Sequence, residues 1–289
     1  EEKHPAIECY LRGKIFAESN DELHNEIAVG DRVVVSHIDE DQHKGVLHRV
    51  EERSSALVRS VGHRKPRLQV LAANVDQLVI VSSVQNPPFR TGLIDRYLVI
   101  AHDAHITPVL CLNKVDLGTP AELDLVNSEM NNYVKLGYHF VSTSTTRRDG
   151  LDQLVELLKG KRSVFVGHSG VGKTKLVSTI QPGLKLLSSA VDRRGRGKHT
   201  TTAAALISLD CGGELVDTPG IRELNIQHIA KRKLALCFPE LRNYLNKCRF
   251  SSCQHVPEPD CAVKRAVQDG QVLQSRYQSY VQLCSELSR

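Results

Sequence analysis

Residues 167–174, with the sequence GHSGVGKT, match the pattern of a phosphate-binding loop. The apolar residues 163–166 before the loop and residues 175–177 after it supply the strand and the helix that this pattern requires. Glycines let such a backbone wrap closely around phosphates and point its N–H groups inward. We predict that Lys173 reaches the terminal phosphates and that the Thr174 hydroxyl ligates Mg²⁺. The loop residues expected around the phosphates are Gly167, Ser169, Gly170, Val171 and Gly172.

Two further segments have the residue types of a guanine-nucleotide site. In Asp217-Thr218-Pro219-Gly220, we expect Asp217 to hold Mg²⁺ and the Gly220 N–H to face the γ-phosphate. In Asn113-Lys114-Val115-Asp116, the Asp116 carboxylate can accept hydrogen bonds from N1–H and the 2-amino group of guanine. Adenine lacks both donors and would leave the carboxylate unpaired. The predicted ligands are therefore GTP, its product GDP, and Mg²⁺.

The guanine oxygen O6 needs a donor of its own. Ser142 and Thr143 follow the apolar pair 140–141, and we expect their backbone N–H groups to serve this oxygen. Asn113 and Lys114 complete the predicted base-binding residues.

These segments occur in a rotated order. The base-reading segment comes first, the phosphate loop second and the Asp217 segment last. One pocket can be rebuilt from any starting point on a sheet, provided that the old chain ends are joined and new ends are opened elsewhere. The order predicts a circularly permuted GTPase.

A basic, glycine-containing segment at residues 193–202 lies between the phosphate loop and Asp217. It is the natural first switch, and Thr201 is the threonine we favour for closing over Mg²⁺. The residue after Gly220 is Ile221, whose side chain cannot orient a water molecule. We hypothesise that His199 positions that water. The alternatives are that His199 contacts RNA and that the segment is only a solvated basic loop.

Three cysteines and one histidine lie within residues 248–261: Cys248, Cys253, His255 and Cys261. Three thiolates and an imidazole make a closed tetrahedral set for one structural Zn²⁺. The eight cysteines of the chain are too sparse for a disulfide framework, so we expect a reducing compartment.

The lengths of the apolar runs along the chain predict an α/β protein with three domains. Short apolar runs over residues 1–71 predict an OB-type β-barrel, and longer runs over residues 72–228 predict buried parallel strands of a P-loop GTPase domain. Residues 229–289 are expected to form a helical zinc-binding domain, with helices over 231–245 and 262–287. We also predict helices over residues 93–104 and 151–158, and a strand pair joined by residues 210–213.

The net charge differs between the first and the last of these predicted domains. Residues 1–71 carry a net charge of −2 and residues 229–289 a net charge of +5, which suits a terminal module that contacts phosphate, with an ordinary solvated surface as the alternative. No apolar run is long enough to span a bilayer, so no membrane partner is expected. We expect a monomer in the cytoplasm; an organelle stroma or matrix stays open, as does a leader segment, because the chain starts without Met.

Taken together, the rotated order, residues 195–202 (GRGKHTTT) and the Cys/Cys/His/Cys spacing resemble the small-subunit-dependent GTPases of the RsgA or YjeQ family. Residues 72–77 and 93–98 are similar to that family's entry into the GTPase domain. The resemblance implies a late assembly factor that binds the small ribosomal subunit and its rRNA, hydrolyses GTP there and then leaves. Three alternatives stay open: an RNA adaptor that scarcely hydrolyses GTP, an ATP-dependent enzyme, and a DNA-reading zinc finger.

Overall fold

The structure, a computed structural model, describes residues 6–11, 27–39, 41–62, 67–184, 204–218, 221 and 224–288. Its N-terminal region is rich in β-structure. One sheet has the strand order β1-β3-β2, and a second is the antiparallel pair β4 and β5. The strands are β1 (Glu8–Leu11), β2 (Val33–Asp39), β3 (Lys44–Val50), β4 (Ala56–Val61) and β5 (Arg67–Ala73).

A six-stranded sheet forms the centre of the molecule, in the order β10-β11-β9-β6-β7-β8. Its strands are β6 (Gln77–Ser83), β7 (Thr107–Asn113), β8 (His139–Ser142), β9 (Arg162–Val166), β10 (Ala205–Ser208) and β11 (Glu214–Asp217). Every pair in this sheet is parallel except β10 with β11, so the predicted strand pair around residues 210–213 is confirmed. Because parallel strands end at one edge, β7, β9 and β11 deliver their carboxyl ends to the same side.

Alternate side chains of the central strands enter two apolar cores, one on each face. Leu78, Ile80 and Leu110 lie in a core with helices α1 (Thr91–Asp103) and α2 (Pro120–Lys135). Val79, Val81 and Val109 lie in the other core, with α3 (Leu151–Leu158) and α4 (Lys173–Ile180). The predicted α/β sheet with helices on both faces is therefore confirmed, and so are the helices predicted over residues 93–104 and 151–158.

The prediction of two long helices near the C-terminus is wrong, because each of the two segments is interrupted. The segment 231–245 forms α5 (Lys231–Leu234) and two 3₁₀ turns, Ala235–Cys237 and Pro239–Tyr244, since Pro239 has no N–H to continue an α-helix. The segment 262–287 divides into α6 (Ala262–Gln268) and α7 (Gln274–Glu286), with Gly270 at a φ of 71° between them.

The core that contains α1 and α2 continues into the C-terminal residues, including Phe238, Val263 and Tyr280. The division into domains at residues 71 and 228 stays a prediction, and β5 extends to Ala73. Within the described ranges, no helix is both long and apolar enough to cross a membrane.

Candidate functional site

The phosphate loop connects β9 to α4, as the sequence predicts. Gly167, Gly170 and Gly172 have φ angles of 140°, 86° and 97°, which L side chains rarely adopt. A Cβ on Gly167 would lie 2.1 Å from the Val81 carbonyl oxygen of the neighbouring strand. The loop therefore requires glycine at this position for space as well as for backbone conformation.

Lys173 lies across its own loop. Its Nζ donates hydrogen bonds to the carbonyl oxygens of Gly167 (2.6 Å) and His168 (2.9 Å). Thr174, in the first turn of α4, and Asp217, at the end of β11, line the same cleft as Lys173. This cleft has a volume of about 710 Å³. A hydroxyl and a carboxylate beside the phosphate loop are the donor set that Mg²⁺ takes in nucleotide sites.

The base-reading segment contacts the phosphate loop directly through Asn113. This residue ends β7 and is 1% exposed. Its Nδ2 donates to the Val171 carbonyl oxygen at 2.9 Å, and its Oδ1 accepts from the Thr143 hydroxyl at 3.1 Å. Asn113 and Val171 are 58 residues apart in the chain, and their buried hydrogen bond thus joins the two motifs.

Lys114 and Asp116 follow Asn113 at the same edge of the sheet. Lys114 has a φ of 62°, and its Nζ donates to the Asn86 carbonyl oxygen. The Asp116 Oδ1 accepts a hydrogen bond from the Ser144 hydroxyl at 2.6 Å. This bond, supported by the nearby Arg147 guanidinium, holds the pKa of Asp116 below its usual value. Asp116 is therefore kept ionised, as an acceptor for guanine must be.

The structure changes the prediction made for Thr143. The Thr143 N–H donates to the Leu112 carbonyl oxygen (2.7 Å), so it is not available to a base. Ser142 lies in β8, paired with Leu112, and the role of its N–H stays a prediction. The side chain that contacts Asp116 is that of Ser144. Sequence reasoning missed Ser144; the signal was a second serine two residues beyond the end of the strand.

Three predicted residues, His199, Thr201 and Gly220, lie outside the described residues, and their roles stay predictions. Ile221 is 8% exposed and lines the cleft with the phosphate loop. A buried apolar side chain at this position agrees with the expectation that another group orients the water.

Cys248, Cys253, His255 and Cys261 converge, with all four ligand atoms within 4.8 Å of one another. The Cys248 and Cys261 sulfurs are 3.8 Å apart, and His255 Nδ1 lies 3.4 Å from each of them. Tetrahedral Zn²⁺ with ordinary bond lengths requires about 3.8 Å between two sulfurs and about 3.6 Å between sulfur and nitrogen. The four residues fit a structural zinc ion.

The surrounding residues hold this ligand loop in place. Tyr277 Oη donates to the His255 carbonyl oxygen, and Tyr280 Oη donates to that of Gln254. The Glu258 carboxylate accepts from the N–H groups of Gln254 and Val256. Burial lowers the pKa of His255, which favours the neutral imidazole that a metal requires.

Comparison with known proteins then decides the family. The family model described as RsgA GTPase matches residues 50–227. This chain belongs to the RsgA GTPase family. It is therefore a GTP-hydrolysing enzyme, as the rotated motif order predicts.

Relatives of this RsgA-family chain cover most of its length. The small ribosomal subunit biogenesis GTPase RsgA of Thermotoga petrophila is 41% identical over 289 residues, covering 99% of this chain and 91% of that protein. The RsgA of Shewanella oneidensis is 40% identical, covering 90% of this chain and 74% of that protein.

Two solved structures are similar to this chain in fold as well as in sequence. The crystal structure of YjeQ from Thermotoga maritima has a TM-score of 0.80 at 39% identity, covering 99% of this chain and 92% of that one. YloQ, titled a circularly permuted GTPase, has a TM-score of 0.75 at 32% identity, covering all of this chain and 88% of that one. The prediction of a circularly permuted GTPase fold is confirmed.

Proposed function

We propose that this GTPase acts in the late biogenesis of the small ribosomal subunit: it binds the subunit with GTP, hydrolyses GTP on contact with rRNA, and dissociates with GDP. The observation that carries the proposal is the buried bond between Asn113 and Val171, which joins a guanine-reading segment and a phosphate loop into one site. The names of the RsgA relatives supply the biological context.

In this site Asp116 reads guanine, with Asn113 and Lys114 beside it. The loop amides and Lys173 bind the phosphates, while Thr174 and Asp217 hold Mg²⁺. Three residues complete the γ-phosphate end of the site. Gly220 contributes its N–H, Thr201 is a Mg²⁺ ligand, and His199 orients the attacking water. Bound Mg²⁺ would neutralise charge that develops on the phosphates.

The C-terminal module supplies the rRNA contact, with one Zn²⁺ as a structural staple. Exposed basic residues of this module include Arg232, Lys233, Lys247 and Arg249. Neutralisation of rRNA phosphates by such residues releases counterions and favours binding. We place the monomeric protein in the cytoplasm, where ribosomal subunits are assembled.

The test is GTP hydrolysis with and without purified small ribosomal subunits, together with subunit binding in GDP and in a non-hydrolysable GTP analogue. We expect faster hydrolysis with subunits, and tighter binding with the analogue, because a ligand shifts a population only by its differential affinity. Unchanged hydrolysis with subunits, or equal binding in both nucleotides, would contradict the proposal.

The role of His199 has a separate test. His199→Ala is expected to slow single-turnover hydrolysis by about 10²-fold, the lower limit for a general acid or base, at unchanged GTP affinity. An unaltered rate would remove His199 from the mechanism and leave GTP binding to the residues named above.

A further inference from the structure

The turn between two of the zinc-ligand residues carries an exposed aromatic ring. Phe250 lies between Cys248 and Cys253, and the Cys253 N–H donates to the Phe250 carbonyl oxygen at 3.2 Å. Phe250 is 43% exposed, whereas the other phenylalanines in the described ranges are buried or partly buried. Because a backbone hydrogen bond closes the turn and a ligand residue stands at each side of it, the ring is held in a fixed place at the surface.

Basic side chains lie beside the aromatic rings of this segment. The Arg249 guanidinium lies 5.5 Å from the ring centroid of Phe250, and Lys247 Nζ lies 5.9 Å from that of Tyr244. Both distances are within the range of a cation–π contact. Lys247, Arg249 and Phe250 are exposed, and Tyr244 is partly buried. We call these four residues the aromatic–basic patch.

Asp260 is an acidic residue next to the patch. Its Oδ2 accepts a hydrogen bond from Arg249 Nη1 at 2.9 Å, and the two side chains are 61% and 67% exposed respectively. An ion pair as exposed as this one is weak, because water and salt screen it. The guanidinium also has donors left over, since it carries five N–H groups. The pair with Asp260 therefore leaves Arg249 able to bind a second anion.

The combination of residue types indicates the partner. In single-stranded nucleic acid, bases stack on aromatic rings while the neighbouring phosphates bind Lys and Arg. The faces of the bases in a duplex are covered by their neighbours, so an exposed ring has nothing to stack on there. A ring and two cations on one turn thus match an unpaired nucleotide better than a duplex, and the net charge of +5 over residues 229–289 favours the same kind of partner.

We propose that Phe250 stacks on an unpaired base of RNA, while Arg249 and Lys247 bind the neighbouring phosphates. This inference rests on the proposed function and deepens it, because it names what the C-terminal module recognises in rRNA: a single-stranded nucleotide. The contact tolerates different sequences, since every base has a face that can stack.

The first experiment uses the absence of tryptophan from this chain. Phe250→Trp introduces one fluorescent ring that keeps the stacking surface. The variant is titrated with an oligoadenylate of about 12 nucleotides and with an abasic phosphodiester of the same length. We expect the oligoadenylate to quench the fluorescence and the abasic chain, which offers phosphates alone, to leave it unchanged. No quenching by the oligoadenylate, or equal quenching by both, overturns the proposal.

Leu273→Trp is the matched control. Leu273 is 40% exposed in the same module, and its neighbours Val272 and Gln274 carry no charge. Its fluorescence should not respond to either chain. Quenching of this variant by the oligoadenylate to the same extent as Phe250→Trp would show contact at no particular ring and would also overturn the proposal.

The second experiment measures the affinity of Phe250 variants for purified small ribosomal subunits. Loss of one base stacked on an aromatic ring weakens binding by about 5- to 150-fold. We expect a loss of this size in Phe250→Ala and in Phe250→Leu, and wild-type affinity in Phe250→Trp. Leucine keeps the apolar bulk without the ring, so it would restore a role in packing or in contact with a ribosomal protein. Wild-type affinity in Phe250→Ala or in Phe250→Leu contradicts stacking.

The salt dependence of subunit binding separates the ring from the cations. Arg249→Ala and Lys247→Ala should each reduce the slope of log affinity against log salt concentration by about 0.7, the value for one phosphate contact on a single strand. Phe250→Ala should weaken binding at an unchanged slope. A changed slope in Phe250→Ala, or an unchanged slope in either basic variant, disagrees with the roles we assign.

Failure of the proposed function would look different from failure of this inference. Wild-type protein would then not bind small subunits, while the oligoadenylate titration would still decide whether Phe250 stacks on a base. If wild type and Phe250→Ala bound the subunits equally well, the proposed function would stand and only the role of Phe250 would be lost.

Discussion

Gly172→Ala is the substitution that most directly tests how the two halves of the nucleotide site are joined. A Cβ at this position would lie 2.5 Å from Asn113 Nδ2, and the φ of Gly172 is 97°. Asn113 cannot move aside freely, because it is buried and bonded to both Val171 and Thr143. The new methyl group must therefore displace the amide that connects the base-reading segment to the phosphate loop.

Gly137 offers a matched control. Its φ is 92°, close to that of Gly172, but a Cβ there would have no atom within 4 Å. Gly137→Ala should cost only backbone strain, about 1–2 kcal/mol. Gly172→Ala adds the loss of a buried hydrogen bond, about 1–3 kcal/mol, for a total of about 2–5 kcal/mol.

The assay is urea-induced unfolding of both variants without nucleotide, followed by titration with GTP. We expect a larger loss of stability in Gly172→Ala, together with GTP affinity weakened by at least about tenfold, which corresponds to about 1.4 kcal/mol. Gly137→Ala should bind GTP like wild type. Equal losses of stability in the two variants, or wild-type GTP affinity in Gly172→Ala, would refute the role we give to the Asn113–Val171 bond.

Three further predictions concern the base, the metal and pH. Asp116→Asn should weaken GTP binding by about 100-fold or more in a competition assay, because two charge-assisted hydrogen bonds are lost, and ATP binding should not change. Metal analysis should find one zinc per chain, and Cys253→Ser should release it and lower the melting temperature. Burial lowers the pKa of His102 to about 4, so the unfolded chain binds this proton more readily and stability should fall as the pH drops from about 6.5 to about 4. His102→Gln should reduce this loss of stability between about pH 6.5 and pH 4, measured by thermal unfolding at a series of pH values. An unchanged dependence of stability on pH would contradict the role given to His102.

The parts of this structure that the sequence predicts are those encoded by local patterns. The phosphate loop, the Asn113–Asp116 segment and the four zinc ligands each lie within 14 consecutive residues, and each carries residue types tied to one chemistry. The continuous apolar runs of β6 and β7 likewise indicate burial on both faces of the sheet.

The remaining features depend on contacts between distant residues. Asp95 of α1 and Arg276 of α7 form a buried ion pair although they are 181 residues apart in the chain, and nothing in the local sequence of either residue indicates this partner. The hydroxyl of Ser144 meets Asp116 only because parallel strands β7 and β8 end side by side. The broken C-terminal helices show the same limitation, since the shared apolar core lets short helical pieces pack where an isolated module would need longer ones.

The circular permutation explains why such long contacts exist. A GTPase in the usual order opens with the phosphate-loop strand, whereas here α3 precedes that strand and is joined to β9 by only residues 159–161. The chain can therefore continue beyond Asp217 into a new module. Ile221 and Leu224 line the cleft, Asn225 donates to the Ser60 carbonyl oxygen of β4, and Ile226 is fully buried in the core shared with the C-terminal residues. Residues 221 and 224–226, which follow the Asp217 segment, thus contact the nucleotide cleft, the N-terminal region and the C-terminal residues, so one short stretch of backbone connects the cleft to both flanking regions.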